Sequence, residues 1–195
     1  MKLKELYRVN RHTTDKGGSR PGNHSYLELY DELFPRLQHR TGRILEIGVE
    51  TGDSLNLWAE YFINSEVYGI ECDMFNISIP LHPHVKVLGM NAYCKETLAL
   101  LKWIGKFDVI IDDAAHILGQ QKYFIQHYWE LLSEDGIMII EEAAEDEMED
   151  KRKCAQELIS LFPIEFQKHT IQDDRRLIKN HPGDYLIICN MEHHE

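Results

Sequence analysis

The sequence predicts an α/β fold, a doubly wound seven-stranded sheet that is mostly parallel and carries an antiparallel hairpin at its C-terminal edge. Three observations predict it. After about residue 43, short apolar segments alternate with helical patterns, the signature of a sheet with crossover helices. Phe107-Asp-Val-Ile-Ile-Asp112 and Gly136-Ile-Met-Ile-Ile140 are nearly continuous apolar runs, as expected of central strands buried on both faces. The last two strands are joined by a charge-rich stretch with Asn180, Pro182 and Gly183 as turn formers, which suits a hairpin better than a helical crossover.

In chain order, the segment from Arg11 to Asn23 holds Gly17, Gly18, Pro21 and Gly22 and reads as an irregular loop, and helical pieces follow within 24–38. Strands are predicted near 43–48, 66–71, 85–89, 107–112, 136–141, 164–170 and 185–190. Helices are predicted at 53–62, where Asp53 and Ser54 can cap, and at 95–104, 120–132 and 147–162. In the third of these, Phe124, Tyr128, Leu131 and Leu132 fall at helical spacing for one buried stripe.

A chain of 195 residues is long enough for one sizeable core and short for two, so residues 1–195 read as a single domain. Hydrophobic content of 43% is ordinary for a globular protein, and no apolar run approaches the roughly 20 residues of a membrane helix. The first ten residues lack a long apolar stretch followed by a small-residue cleavage site, so no secretory signal and a cytoplasmic location are expected. Cys72, Cys94, Cys154 and Cys189 are widely spaced without a Cys-x-x-Cys pair and read as reduced thiols. A net charge of −12 repels a phosphate backbone, so nucleic acid is not an expected partner, and neither is a membrane.

The stretch Arg43-Ile-Leu-Glu-Ile-Gly-Val-Glu-Thr-Gly-Asp53 runs an apolar strand into a glycine turn that opens a helix, the Rossmann-like junction at which nucleotide-type cofactors bind. Its spacing, Glu46-x-Gly48-x-x-x-Gly52, is not the Gly-x-Gly-x-x-Gly that cradles a pyrophosphate, which argues against a nicotinamide oxidoreductase or a sugar epimerase. S-adenosylmethionine has no phosphate and carries a cationic amino group, and Glu46 is expected to face it. Ligands in such sheets bind beyond the carboxyl ends of the strands, which selects Glu71 at the end of the second strand to accept the ribose hydroxyls, with Asp73 in reserve.

At the neighbouring strand ends stand Asp112, Asp113 and His116, and then Glu141 and Glu142. Four carboxylates at one sheet edge repel and have raised pKa values unless a cation neutralises them. A divalent metal is the economical answer; oxygen ligands favour magnesium, and the absence of Cys/His ligand spacing argues against structural zinc.

Glu-Ile-Gly-x-x-x-Gly with an acidic second-strand end resembles the class I S-adenosylmethionine-dependent methyltransferases. The likeness narrows through Thr14-Asp15-Lys16, His24-x-Tyr26-x-x-x-Tyr30, Ile111-Asp-Asp-Ala-Ala-His116 and Ile140-Glu-Glu142. These resemble the metal-dependent sugar O-methyltransferases of macrolide biosynthesis, over most of residues 12–190. The resemblance implies that the macrolide enzymes carry an additional amino-terminal domain, for which no counterpart is expected in residues 1–195. The resemblance implies Asp113, Glu141 and Glu142 as metal ligands and His116 as general base, with Glu142 standing where relatives usually have Asp. It implies a cofactor set that adds Asn91, Asp112, Asp15, Lys16 and Tyr26 to Glu46, Gly48, Gly52 and Glu71. Residues 1–40 then form a segment that covers the cofactor and 41–195 the core. The expected activity is S-adenosylmethionine- and magnesium-dependent methyl transfer to a hydroxyl of a small molecule, a sugar or glycosylated natural product, with homo-oligomerisation left open. The alternative is a cofactor-binding protein without transferase activity that acts through partners.

Overall fold

The computed structural model describes residues 1–17, 24–143, 151–173 and 185–191. Its strands are β1 Arg43–Ile47, β2 Glu66–Glu71, β3 Val85–Gly89, β4 Phe107–Asp112, β5 Leu132–Ile140, β6 Thr170–Asp173 and β7 Leu186–Asn190. Its α-helices are α1 Leu3–Val9, α2 Tyr26–Leu33, α3 Asp53–Tyr61, α4 Lys95–Ile104, α5 Leu118–Tyr128, α6 Lys151–Ser160 and α7 Ile164–Gln167. The seven strands form one sheet in the order β3-β2-β1-β4-β5-β7-β6. β1 to β5 pair in parallel, and β7 runs antiparallel to both β5 and β6. Strand order therefore reverses between β1 and β4, where Ile47 lies beside Asp112 and Asp112 beside Ile140. That reversal is where a ligand crevice opens in a sheet of this kind.

Each face of the sheet is covered by helices. On one side α1, α2 and α3 pack Tyr30, Phe34, Trp58 and Phe62 over Ile44, Val109 and Ile139. On the other, Phe124, Tyr128 and Leu158 cover Leu45, Ile110 and Met138. Burial of each large apolar side chain stabilises the fold by about 1.5–3 kcal/mol.

Several elements depart from the sequence reading. The predicted strand 164–170 is replaced by α7 and a later β6, because Pro163 starts a helical turn that leaves Ile164 exposed, and pairing with β7 begins only at Thr170. α1 was not predicted; it is a short helix whose Leu3 and Tyr7, four residues apart, are buried. Asp15–Gly17 forms a 3-10 turn inside the predicted loop. Neither Asp53 nor Ser54 caps α3: Gly52, in the left-handed region, occupies that position. β5 starts earlier than predicted, at Leu132. Asn180, Pro182 and Gly183, and residues 147–150 of the fourth predicted helix, lie outside the described residues. Among the described residues no helix is long and apolar enough to cross a membrane.

Candidate active site

β1 turns into α3 through three residues with positive φ, Gly48 (85°), Glu50 (49°) and Gly52 (95°). Gly48 is dictated by close approach as well, since a Cβ there would lie 2.1 Å from the Asp113 carbonyl oxygen. Glu71 braces this turn: its carboxylate accepts from the backbone N–H groups of Val49 at 3.0 Å, Glu50 at 3.1 Å and Asp73 at 2.9 Å. Burial pushes its pKa up, but these backbone donors prevail and hold it below the usual carboxylate range. Beside the turn opens a cavity of about 760 Å³, within the range of small-molecule sites. Gly48, Glu71, Asn91, Asp15, Asp113 and His116 all line it, as do Met90 and Gln120. Asn91 Oδ1 accepts from the Tyr93 N–H at 2.9 Å, which leaves Nδ2 as the group it can offer a ligand.

Glu46 does not line this cavity, which corrects its expected placement. Strand alternation turns Leu45 and Ile47 to one face and Glu46 to the other. There it is fully buried, and Oε2 accepts from Ser54 Oγ at 2.8 Å and Trp58 Nε1 at 3.0 Å. Burial raises its pKa to about 7, against the opposing charge of Lys16. Gly52 likewise serves the helix start, where an added Cβ would meet the Leu81 side chain at 2.7 Å.

At the other end of the cavity the strand ends gather the acidic groups. Asp113, His116 and Glu142 each bring a ligand atom within 4.8 Å of the others. His116 Nε2 lies 2.8 Å from Glu142 Oε2 and 3.9 Å from Asp113 Oδ1. Glu141 does not join this group: left-handed backbone at Glu142 sends the two neighbours apart. Glu141 is buried, and its oxygens take the Tyr30 hydroxyl and, at 2.9 Å, the Lys16 ammonium. Asp112 is also off the cavity wall; its Oδ1 accepts from the Tyr93 hydroxyl at 2.8 Å, and burial raises its pKa to about 7.

These donors fit a divalent ion. Asp113 and Glu142 offer hard oxygen atoms, and His116 shows the electrostatic need for a cation. Burial lowers the His116 pKa, yet the hydrogen bond its ring N–H donates to Glu142 and the charges of Glu142, Asp113 and Asp112 outweigh it and hold the imidazole at about 9. A neutral imidazole near pH 7 would therefore require those carboxylates to be neutralised by a cation.

The N-terminal segment crosses this region. Thr13, Thr14 and Asp15 line the cavity, but Lys16 is buried beneath it, in contact with Asp113, Glu141 and Glu46. Its ammonium is committed to these carboxylates and does not line the cavity, although the resemblance places Lys16 in the cofactor set. Tyr26 is fully buried and stacks on His24 at a centroid distance of 4.7 Å, without lining the cavity. Sequence reasoning gave His24 no role of its own; its Nε2 lies 3.5 Å from Glu142 Oε1 and 3.8 Å from Asp15 Oδ2. The His-x-Tyr spacing was the available signal.

Asp53 fastens the segment from below. It accepts from the backbone N–H groups of Thr13 and, at 2.8 Å, Thr14, and its Oδ1 lies 2.7 Å from His12 Nδ1, while His12 Nε2 meets Glu60 at 3.0 Å. Burial lowers the His12 pKa, but Asp53 and Glu60 hold it above 6.5. Burial likewise raises Asp53, but His12 and the Thr13 and Thr14 amides hold it below 3.8. The His12 contribution is complete below pH 6.5 and is lost as pH rises through the folded-state value. That of Asp53 is complete above pH 3.8 and is lost as pH falls through its folded-state value. The segment is thus held most firmly between pH 3.8 and 6.5. The hydrogen-exchange protection factor of the Thr14 amide is expected to fall above this window, and His12→Gln to flatten that dependence.

The strand order, with its antiparallel β7 beside β5, and a cavity beyond the β1 glycine turn define a class I methyltransferase fold. Within that class the chain is similar to sugar O-methyltransferases. It is 29% identical over 150 residues to the 8-demethyl-8-(2-methoxy-alpha-L-rhamnosyl)-tetracenomycin-C 3'-O-methyltransferase of Streptomyces olivaceus, covering 68% of this chain and 35% of that one. With the L-olivosyl-oleandolide 3-O-methyltransferase of Streptomyces antibioticus it shares 28% identity over 143 residues, with the same coverage. Among solved structures it is similar to the MycE methyltransferase of mycinamycin biosynthesis in complex with Mg, SAH and mycinamycin VI. The TM-score is 0.64 and the identity 25%, over 73% of this chain and 39% of that one. The chain spans about a third of the length of the curated relatives it matches. No family model matches it.

Proposed function

We infer that the chain transfers a methyl group from S-adenosylmethionine to a sugar hydroxyl of a glycosylated small molecule, with magnesium as a second cofactor. The observation that carries this reading is one cavity bounded by the glycine turn and Glu71 at one end and by Asp113 and His116 at the other. The O-methyltransferase relatives, which act on rhamnosyl and olivosyl groups, and a neighbour that binds Mg and SAH support the same reading. Residues 1–195 act as a single methyltransferase domain, in which Thr13, Thr14 and Asp15 cover the cavity while α1 and α2 belong to the core.

In this reading Glu71 receives the ribose hydroxyls with lone pairs left over from its backbone bonds, and Asn91 Nδ2 and Met90 meet the adenine. Gly48 lets the cofactor approach the backbone, while Glu46, Gly52, Asp112, Lys16 and Tyr26 act from behind the cavity lining. Asp15 borders the cavity mouth. Asp113 and Glu142 would hold the ion, with Glu141 held apart by Tyr30 and Lys16. When bound, the ion supplies Lewis acidity that lowers the pKa of a substrate hydroxyl. Once Glu142 is taken up by the ion, His116 Nε2, otherwise hydrogen-bonded to that carboxylate, would accept the hydroxyl proton and leave an oxygen nucleophile for the methyl group that S-adenosylmethionine would supply. S-adenosylhomocysteine release against a panel of glycosylated acceptors tests the reading. Turnover is expected only with a free sugar hydroxyl, and equal turnover with hydroxyl-blocked sugars would refute it.

A further inference from the structure

Lys16 is 1% exposed, yet its ammonium lies among carboxylates from three adjacent strand ends: Glu46, the penultimate residue of β1, Asp113 beyond β4 and Glu141 beyond β5. An ammonium has three N–H donors and no acceptor; here it donates to Asp113 and Glu141 and lies 3.5 Å from Glu46 Oε1. The two glutamates are alike in their construction. Glu46 turns Oε2 to Ser54 and Trp58, and Glu141 turns Oε1 to Tyr30, so each has its other oxygen aimed at the lysine. Glu46 Oε1 is buried and receives no hydrogen bond; Lys16 at 3.5 Å is the cation beside it. Asp113 faces both ways, with Oδ2 on Lys16 and Oδ1 toward His116.

Take the ammonium away and Glu46 Oε1, Asp113 Oδ2 and Glu141 Oε2 converge on one point as three hard oxygen donors. Such a set, sharing an aspartate with a neighbouring donor group, is the arrangement by which two divalent ions sit about 3.5–4 Å apart in two-metal sites. We propose that Lys16 is a resident cation standing in the second of two adjoining cation positions, so that the site takes a single divalent ion, at Asp113 and Glu142. This rests on the divalent-ion reading given above. It also gives the N-terminal segment a second function, because the residue that balances the acidic group is carried by the same turn whose Asp15 borders the cavity.

The test is the number of Mn²⁺ ions bound per chain, read from the electron paramagnetic resonance of free Mn²⁺ in titrations of the wild-type protein and of Lys16→Ala. One ion is expected in the wild type and two in the variant. The variant is also expected to melt at a lower temperature in chelator and to recover more than the wild type when Mn²⁺ is added. One ion in both proteins, with equal thermal response, overturns the proposal and leaves the divalent-ion reading standing. No ion in the wild type removes that reading, and this one with it. If Lys16→Ala does not fold in chelator, refolding with Mn²⁺ and the double variant Lys16→Ala/Glu141→Gln decide. Rescue by Mn²⁺ supports the proposal. Rescue by the double variant alone shows a charge role without an ion position and overturns it, as does failure of both.

Discussion

Gly48→Ala is expected to unfold the protein at markedly lower temperature and to abolish tight S-adenosylhomocysteine binding. The new methyl group would stand 2.1 Å from the Asp113 carbonyl oxygen and 2.7 Å from its carbon, both backbone atoms that cannot rotate away. The contact is pinned on both sides, because Gly48 N–H donates to Ile70 O at 3.0 Å and Asp113 N–H to Ile47 O at 2.9 Å. A positive φ of 85° adds strain of its own. Overpacking and left-handed backbone together cost on the order of 3 kcal/mol, equivalent to roughly 6–12 °C for a chain of this size. Gly119→Ala is the control. Nothing lies within 4 Å of its added Cβ, it sits in α5, and helix propensity there favours alanine by up to about 1 kcal/mol. Thermal unfolding of the two variants in opposite directions is the expected result; equal and small shifts would mean that the turn is not held as described.

Replacing His116 is expected to remove methyl transfer while leaving cofactor affinity within a few-fold of the wild type. General base catalysis contributes about 10²–10⁴-fold, so kcat is expected to fall by that factor. Asparagine is the better replacement, since His116 has φ 55° and asparagine tolerates the left-handed region. The end of the cavity proposed for the cofactor is lined by Gly48, Glu71 and Asn91 and does not depend on the imidazole. Single-turnover rates alongside S-adenosylhomocysteine titration separate the two effects. An unchanged rate would remove His116 as the base, and a parallel loss of affinity would make it a structural residue.

The parallel half of the sheet was legible because continuous apolar runs such as Phe107–Asp112 have one fate in a chain of this size, and glycine at 48 and 52 marked the turn. Ile164 and Phe166 gave a strand-like alternation that Pro163 overrode by starting a helical turn. The position of Glu46 was readable from alternation alone, since Leu45 and Ile47 share one face and Glu46 must take the other. No local pattern could disclose Lys16, which meets Asp113 across 97 positions of sequence. The same holds for Asp53, read as a helix cap although its carboxylate serves His12, Thr13 and Thr14. Glu141 and Glu142 looked equivalent in sequence; the backbone conformation at Glu142 divides them.

The central claim is that the glycine turn and the acidic strand ends form one cofactor- and metal-dependent site. Calorimetric titration of the S-adenosylhomocysteine-loaded protein with Mg²⁺ tests it most directly, in the wild type and in Asp113→Asn. A saturable heat corresponding to one ion per chain, lost in Asp113→Asn, is expected. Binding of S-adenosylhomocysteine with no Mg²⁺ heat, or an unaltered heat in Asp113→Asn, would contradict it.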